Sequence, residues 1–80
     1  MPDVSIDCGN LACPGPLVQI SKTMKTLKPG QTLGVRAEDP AFGEDVKAWC
    51  RMTGCILLSL DNGNGHCRAL IGKPLEPTHD

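Results

Sequence analysis

Two prolines a single residue apart, Pro14 and Pro16, stand between an alternating apolar run and a helical one. Proline lacks an N–H and has a fixed φ, so it is tolerated in the first turn of a helix and disruptive further in. The stretch Leu11-Ala12-Cys13-Pro14-Gly15-Pro16 therefore ends one element and opens the next. With Cys13 as N-cap, Pro14 is the first helical residue and Pro16 the third, leaving Gly15 and Leu17 to offer free N–H groups. A thiol so placed meets the positive end of the helix dipole and ionises more easily, and the thiolate is the form that attacks sulfur or binds metal. Cys13 is thus a nucleophile candidate. Two plainer readings compete: buried filler at an ordinary helix start, and a metal ligand acting with a second cysteine.

The rest of the chain alternates between strand and helix periods. Val4, Ile6 and Cys8 alternate with Asp3, Ser5 and Asp7, which predicts a half-buried strand. Gly9-Asn10 ends it, since both residues accept positive φ. From Pro14 to about Lys28, Leu17, Ile20, Met24 and Leu27 share one helical face, and Lys22, Lys25 and Lys28 form a stripe on another side. Pro29-Gly30 stops that helix. A second strand is expected over Thr32 to Glu38, with Leu33, Val35 and Ala37 on one side. Asp39-Pro40 reads as an N-cap followed by a first helical proline. Phe42, Val46, Trp49, Cys50 and Thr53 then face inward and Glu44, Asp45, Lys47 and Arg51 face water, with Gly54 as the left-handed stop. Cys55 to Asp61 and Cys67 to Ile71 read as a hairpin about Asn62-Gly63-Asn64-Gly65.

The order βαβαββ predicts an α+β fold: a two-layer α/β sandwich, a four-stranded mixed sheet with two helices on one face. One domain over 1–80 is expected, with an ordered core at about 3–73 and a frayed tail at 74–80. Such a fold leaves one sheet face without helices, and Leu57 and Leu70 are expected opposite one another there, as a patch for a partner or as ordinary exposed leucines.

Composition narrows the function. Eighty residues bury only a small core, which disfavours a deep enclosed active site. A net charge of −1, one Phe, one Trp and no Tyr give no support to nucleic-acid binding. No apolar run approaches the roughly 20 residues of a membrane span, and Met1-Pro2-Asp3 lacks signal-peptide features, so a cytoplasmic protein with no membrane contact is expected. The five cysteines (Cys8, Cys13, Cys50, Cys55, Cys67) are odd in number and include no Cys-x-x-Cys, which disfavours a disulfide framework. Cys50, Cys55, His66 and Cys67 have spacings unlike common zinc sites, so neither metal nor other cofactor is expected. The Lys22/Lys25/Lys28 stripe reads as a solvated face or, through Lys22 and Lys25, as docking for acidic partners.

Asp7 through Pro16 resembles the Cys-Pro-x-Pro signature region of the TusA/SirA sulfur-carrier family. Further matches are Leu27-x-Pro-Gly30, Asp39-Pro40, Asp45-Val46 and Trp49-Cys50, so the resemblance spans roughly Ile6 to Lys73. It implies the same βαβαββ fold and a cysteine, here Cys13, that carries a persulfide, with Pro14, Gly15 and Pro16 shaping its loop. Asp7 matches the family's acidic residue before the loop. The family usually has Gly where this chain has Asn10, although Asn also accepts left-handed geometry. The implied donor is a rhodanese or cysteine desulfurase and the implied acceptor a DsrE-type protein, the chain itself acting as a monomer. The Cys-Pro-Gly-Pro version looks most like members linked to sulfur or polysulfide metabolism; sulfur relay for tRNA 2-thiouridine is the alternative, with no direct nucleic-acid contact. As a sulfurtransferase the chain counts as an enzyme only in the sense of a carrier with a persulfide intermediate.

Two other classes stay open. A regulatory or interaction module would use the bare sheet face and dispense with Cys13. A thiol redox protein would use paired cysteines, with Cys8 as a candidate to resolve a Cys13 persulfide into a disulfide.

Overall fold

The computed structural model describes residues 2–9, 15–63 and 65–75. The element order is β1 (Val4–Gly9), α1 (Gly15–Met24), β2 (Thr32–Ala37), α2 (Phe42–Thr53), β3 (Ile56–Gly63) and β4 (His66–Gly72). The four strands form one mixed sheet in the order β1-β2-β4-β3. β1 and β2 run parallel, joined through α1, while β4 runs antiparallel to both β2 and β3.

Alternation sets the two faces. Leu33, Val35 and Ala37 of β2 and Cys67, Ala69 and Ile71 of β4 are buried on the inner face. Against them pack Pro16, Ile20 and Met24 of α1 and Phe42, Val46 and Cys50 of α2, in each helix a set repeating every four residues. Phe42, Ile20, Leu33, Ile71 and Val46 are among the largest fully buried side chains. Both helices lie on this one face, as the sequence pattern predicts. No helix among the described residues is long and apolar enough to cross a membrane.

The other face is open and carries a row of charge. The register sets Asp7 beside Arg36, Arg36 beside Arg68 and Arg68 beside Asp61, one residue from each strand. Next to that row Gly34 lies under Pro2, and a Cβ at Gly34 would stand 3.0 Å from the Pro2 ring.

Four local expectations need correction. Leu57 does not lie on the open face: it pairs with Ile71 and packs half-buried against the core, while Leu70 pairs with Ser59. A register shift between Leu57 and Ser59 accommodates an extra residue, a β-bulge. Ile56 and Leu58 are consequently the exposed residues, at 48% and 51%, both within 4 Å of a Cβ built at Gly72. Second, α1 ends at Met24 rather than at Lys28. The N–H groups of Thr26 and Leu27 bond three residues back, to the Thr23 and Met24 carbonyls (2.9 and 3.2 Å), tightening the chain ahead of Pro29. Lys73 Nζ then donates to the Met24 and Leu27 carbonyls (3.0 and 2.6 Å), joining the Leu27 N–H on the first and tying the turn after the helix to the end of β4. Lys25 and Lys28 therefore lie beyond the helix that holds Lys22.

Third, α2 starts at Phe42 with Ala41 as N-cap, and Asp39 acts two residues earlier, its Oδ1 accepting the Ala41 N–H (3.0 Å). Fourth, the hairpin is tighter than a four-residue turn: Gly63 already pairs with His66. Gly54, at φ +80°, ends α2 as expected, its N–H donating to the Cys50 carbonyl.

Candidate functional site

The carboxyl ends of the parallel strands β1 and β2 lie side by side, and the chain leaves β1 there for α1. In open α/β sheets such ends are where sites collect. Residues 10–14, which include Cys13 and Pro14 at the centre of the sequence signature, lie outside the described residues; Gly9 before them and Gly15 after them are described.

On the helix side, α1 begins at Gly15, and Pro16 is fully buried, so its ring anchors the first turn in the core. That turn contains no acidic residue, whereas the first turn of α2 carries Glu44 and Asp45. The positive pole of α1 is therefore not offset by a carboxylate of its own first turn.

On the strand side, β1 ends at Gly9 in the left-handed region (φ +56°), after a register shift between Asp7 and Gly9. The Gly9 N–H donates to Asp7 Oδ1 (2.9 Å), and the Gly9 carbonyl accepts the Glu38 N–H (2.8 Å). Arg36 Nη1 donates to Asp7 Oδ1 and Oδ2 (3.1 and 3.4 Å), and its Nη2 donates to Glu38 Oε2 (3.2 Å). The bond from Gly9 and then the Arg36 guanidinium hold the Asp7 carboxyl below its ordinary pKa. Arg36 is held further toward its charged form by the same hydrogen bond to Asp7.

The other predicted residues are spread out. Lys22 and Lys25 are exposed; Lys22 lies in the last turn of α1, at the opposite end from Gly15. Lys25 lines a groove of about 480 Å³ with Ser21, Trp49, Thr53, Cys55 and Lys73. Cys8, Cys50 and Cys67 are buried and Cys55 half-buried. Burial pushes the Cys8 thiol up, helped by the Asp7 charge, and does the same to Cys67, helped by Asp61. Burial, with a smaller part from Cys55, pushes Cys50 up to about 11. Among the described residues no group of three or more His, Cys, Asp or Glu side chains is placed to hold a metal ion.

Arg36 and Glu38 are the residues that sequence reasoning missed. The link from Arg36 to Asp7 depends on a parallel pairing across 29 positions, which no local pattern announces, and Glu38 joins through Arg36. The sequence signal available was Asp7 itself, an acid at the foot of the cysteine segment.

Comparison with known proteins bears on the fold and the family. A solved structure described as a SirA-like protein, from Desulfitobacterium hafniense, aligns with a TM-score of 0.76 over 89% of this chain and 97% of that one. At 19% identity that likeness concerns the fold. A protein of Aquifex aeolicus (strain VF5) named "Putative sulfur carrier protein" is 38% identical over 74 residues, 92% of this chain. This chain spans 38% of that relative's length. The sequence profile described as "Sulfurtransferase TusA" matches residues 4–73, from the start of β1 to just past the end of β4. With the Cys-Pro-Gly-Pro segment following β1 and ending in the first turn of α1 inside that match, the chain belongs to the TusA family of sulfurtransferases and sulfur carriers.

Proposed function

We propose that this protein carries sulfane sulfur as a persulfide on Cys13 and relays it between proteins. The observation that carries this reading is the family match over residues 4–73, which includes Cys13-Pro14-Gly15-Pro16. The donor is a rhodanese or a cysteine desulfurase, the acceptor a DsrE-type protein, and the setting is sulfur or polysulfide metabolism in the cytoplasm. Lys22 and Lys25 give an acidic partner a salt-dependent foothold on the far end of α1 and the turn after it.

The chemistry is two thiolate exchanges. The Cys13 thiolate attacks the outer sulfur of a donor persulfide R–S–SH; a new S–S bond forms, the donor S–S bond breaks, and the products are Cys13–S–SH and the donor thiolate R–S⁻. An acceptor thiolate then attacks the outer sulfur of Cys13–S–SH, takes it as R′–S–SH and regenerates the Cys13 thiolate. No net oxidant or reductant is consumed, and rates follow thiolate fraction, nucleophilicity and access.

Two features support the assignment to Cys13. The first turn of α1 presents its N–H groups and dipole without a competing carboxylate in that turn, an environment suited to a sulfur anion. Cys8, Cys50 and Cys67 are buried, with thiols pushed toward the protonated form, which suits packing.

The test is sulfur loading from rhodanese charged with thiosulfate, read by intact mass and peptide mapping. With donor limiting, wild-type protein gains about 32 Da, one sulfur atom, on the Cys13 peptide, and Cys13→Ser gains nothing while keeping its circular dichroism spectrum. A Cys13→Ser protein that still takes up sulfur assigns the carrier role to another cysteine.

A further inference from the structure

We propose that Arg36 and Glu38, acting with Asp7, are positioning residues for sulfur transfer: together they fix Gly9, the stem from which the Cys13 segment departs. The inference rests on Cys13 being the carrier.

The four residues form a closed ring. Gly9 is bonded through its N–H to the Asp7 carboxylate and through its carbonyl to the Glu38 N–H (2.9 and 2.8 Å). One guanidinium, that of Arg36, spans the Asp7 and Glu38 side chains (3.1 and 3.2 Å). Both polar groups of the Gly9 backbone are thus held, and the two residues holding them are tied to each other. The residue so held has φ +56° and follows the register shift that ends β1, so it sets the direction in which the chain leaves the sheet.

The ring lies on the face of the sheet opposite the helices and contributes nothing to the apolar core. Its side chains are open to water, at 34% exposure for Arg36, 63% for Asp7 and 40% for Glu38. Exposed ion pairs add little to overall folding. What the ring constrains is local: residues 10–14 must join Gly9 to Gly15, whose own side of the span is anchored by the buried Pro16. Cys13 stands four residues past Gly9 and two before Gly15 in sequence, so what holds Gly9 acts on the start of the span that contains it. A planar fork suits this task because it meets two carboxylates at once; a lysine is a single point charge.

The experiment uses Arg36→Met, which keeps the aliphatic stem and deletes the fork, with Arg36→Lys and Glu38→Gln. For each, the rate of iodoacetamide alkylation at Cys13 is mapped against pH from the modified peptide, and Cys13 sulfur loading from glutathione persulfide is timed. A stem that is no longer held lowers the competent fraction, so loading slows by about threefold or more in Arg36→Met and Glu38→Gln. The alkylation profile shifts along the pH axis, Arg36→Lys recovers part of both effects, and the thermal midpoint stays close to wild type. Loading within 1.5-fold of wild type together with an unmoved profile overturns the proposal, and so does loss of the fold in both Arg36→Met and Glu38→Gln, which makes the ring structural. These outcomes are separate from failure of the carrier assignment, which shows as sulfur uptake by Cys13→Ser.

Discussion

Gly9→Ala isolates the backbone strain at the stem from every side-chain contact. Gly9 has φ +56°, and a Cβ built there finds nothing within 4 Å, so the substitution meets no clash. Its whole cost is conformational. Left-handed geometry costs an L-residue about 1–2 kcal/mol, and the stiffer unfolded chain returns roughly 0.4–1 kcal/mol. The expected net destabilisation spans about 0–1.6 kcal/mol, centred at roughly 0.8 kcal/mol. For a domain of this size each kcal/mol lowers the thermal midpoint by roughly 4–8 °C, so a fall of several degrees is within easy reach of calorimetry or circular dichroism. Gly65 is the matched control: it has φ +77°, also has nothing within 4 Å of a built Cβ, and lies in the β3–β4 turn. Gly65→Ala lowers the midpoint by a similar amount and leaves sulfur loading at Cys13 unchanged, whereas Gly9→Ala slows it. Gly9→Asn is milder than Gly9→Ala, since asparagine accepts this geometry more readily. An unchanged midpoint with unchanged loading in Gly9→Ala refutes the left-handed stem, and equal loss of loading in Gly65→Ala refutes its link to sulfur transfer.

Three further expectations follow from the same geometry. Because the folded state depresses the Asp7 pKa, its contribution to stability is present above the unfolded value near 3.9 and is lost as pH falls through the lower folded value. A carboxyl-carbon NMR titration shows this as an Asp7 midpoint below that of an unfolded peptide, and Arg36→Met moves the midpoint upward. Lys73→Met removes two charge-assisted bonds to carbonyls at the end of α1 and destabilises the fold by about 1–2 kcal/mol; denaturation curves indistinguishable from wild type would count against that cap. In native protein at pH 8, Cys8, Cys50 and Cys67 react with a disulfide reagent far more slowly than half-buried Cys55, and denaturant equalises them. Cys50 is the slowest, since a thiol pushed up to about 11 is ionised in roughly one molecule per thousand at that pH.

Where the chain obeys a strict period, its structure was legible. Val4, Ile6 and Cys8 alternate into the core, Leu33, Val35 and Ala37 do the same, and Phe42, Val46 and Cys50 repeat every four residues along α2. The Ile56-Leu57-Leu58 run defeated the method because three consecutive apolar residues carry no phase, so the sequence could not say which leucine faces in. Leu27 misled in another way. It is buried from the turn after α1, so its spacing extended an apparent helix past the real end at Met24. At the candidate site, the Cys-Pro-Gly-Pro segment carries a local sequence signal. The ring about Gly9 carries no such signal, since Asp7 meets Arg36 only after β1 and β2 have paired, and an Arg two residues before a Glu at a strand end is too common to stand out.

The distribution of thiols bears on how a chain of this family, if Cys13 carries sulfur as proposed, tolerates five cysteines. Persulfide sulfur passes to any accessible thiolate, so each extra reactive cysteine is a site for misplaced cargo. Cys8, Cys50 and Cys67 escape this by serving as small apolar side chains on the inner face, where burial suppresses the thiolate. Cys8 is the instructive case: it adjoins Gly9, one residue from the stem, yet its side chain enters the core while Asp7 turns outward to Arg36. The same strand alternation that aims Asp7 at the ring thus places Cys8 in the core. A resolving role for Cys8 would require it to leave the core, and its burial and the adjacent Asp7 charge both oppose ionisation there. Cys55, half-buried beside Trp49, Lys25 and Lys73, lacks that degree of protection. It is therefore the position at which stray persulfide should first accumulate when sulfur donor is in excess, and peptide mapping of over-loaded protein reads it directly.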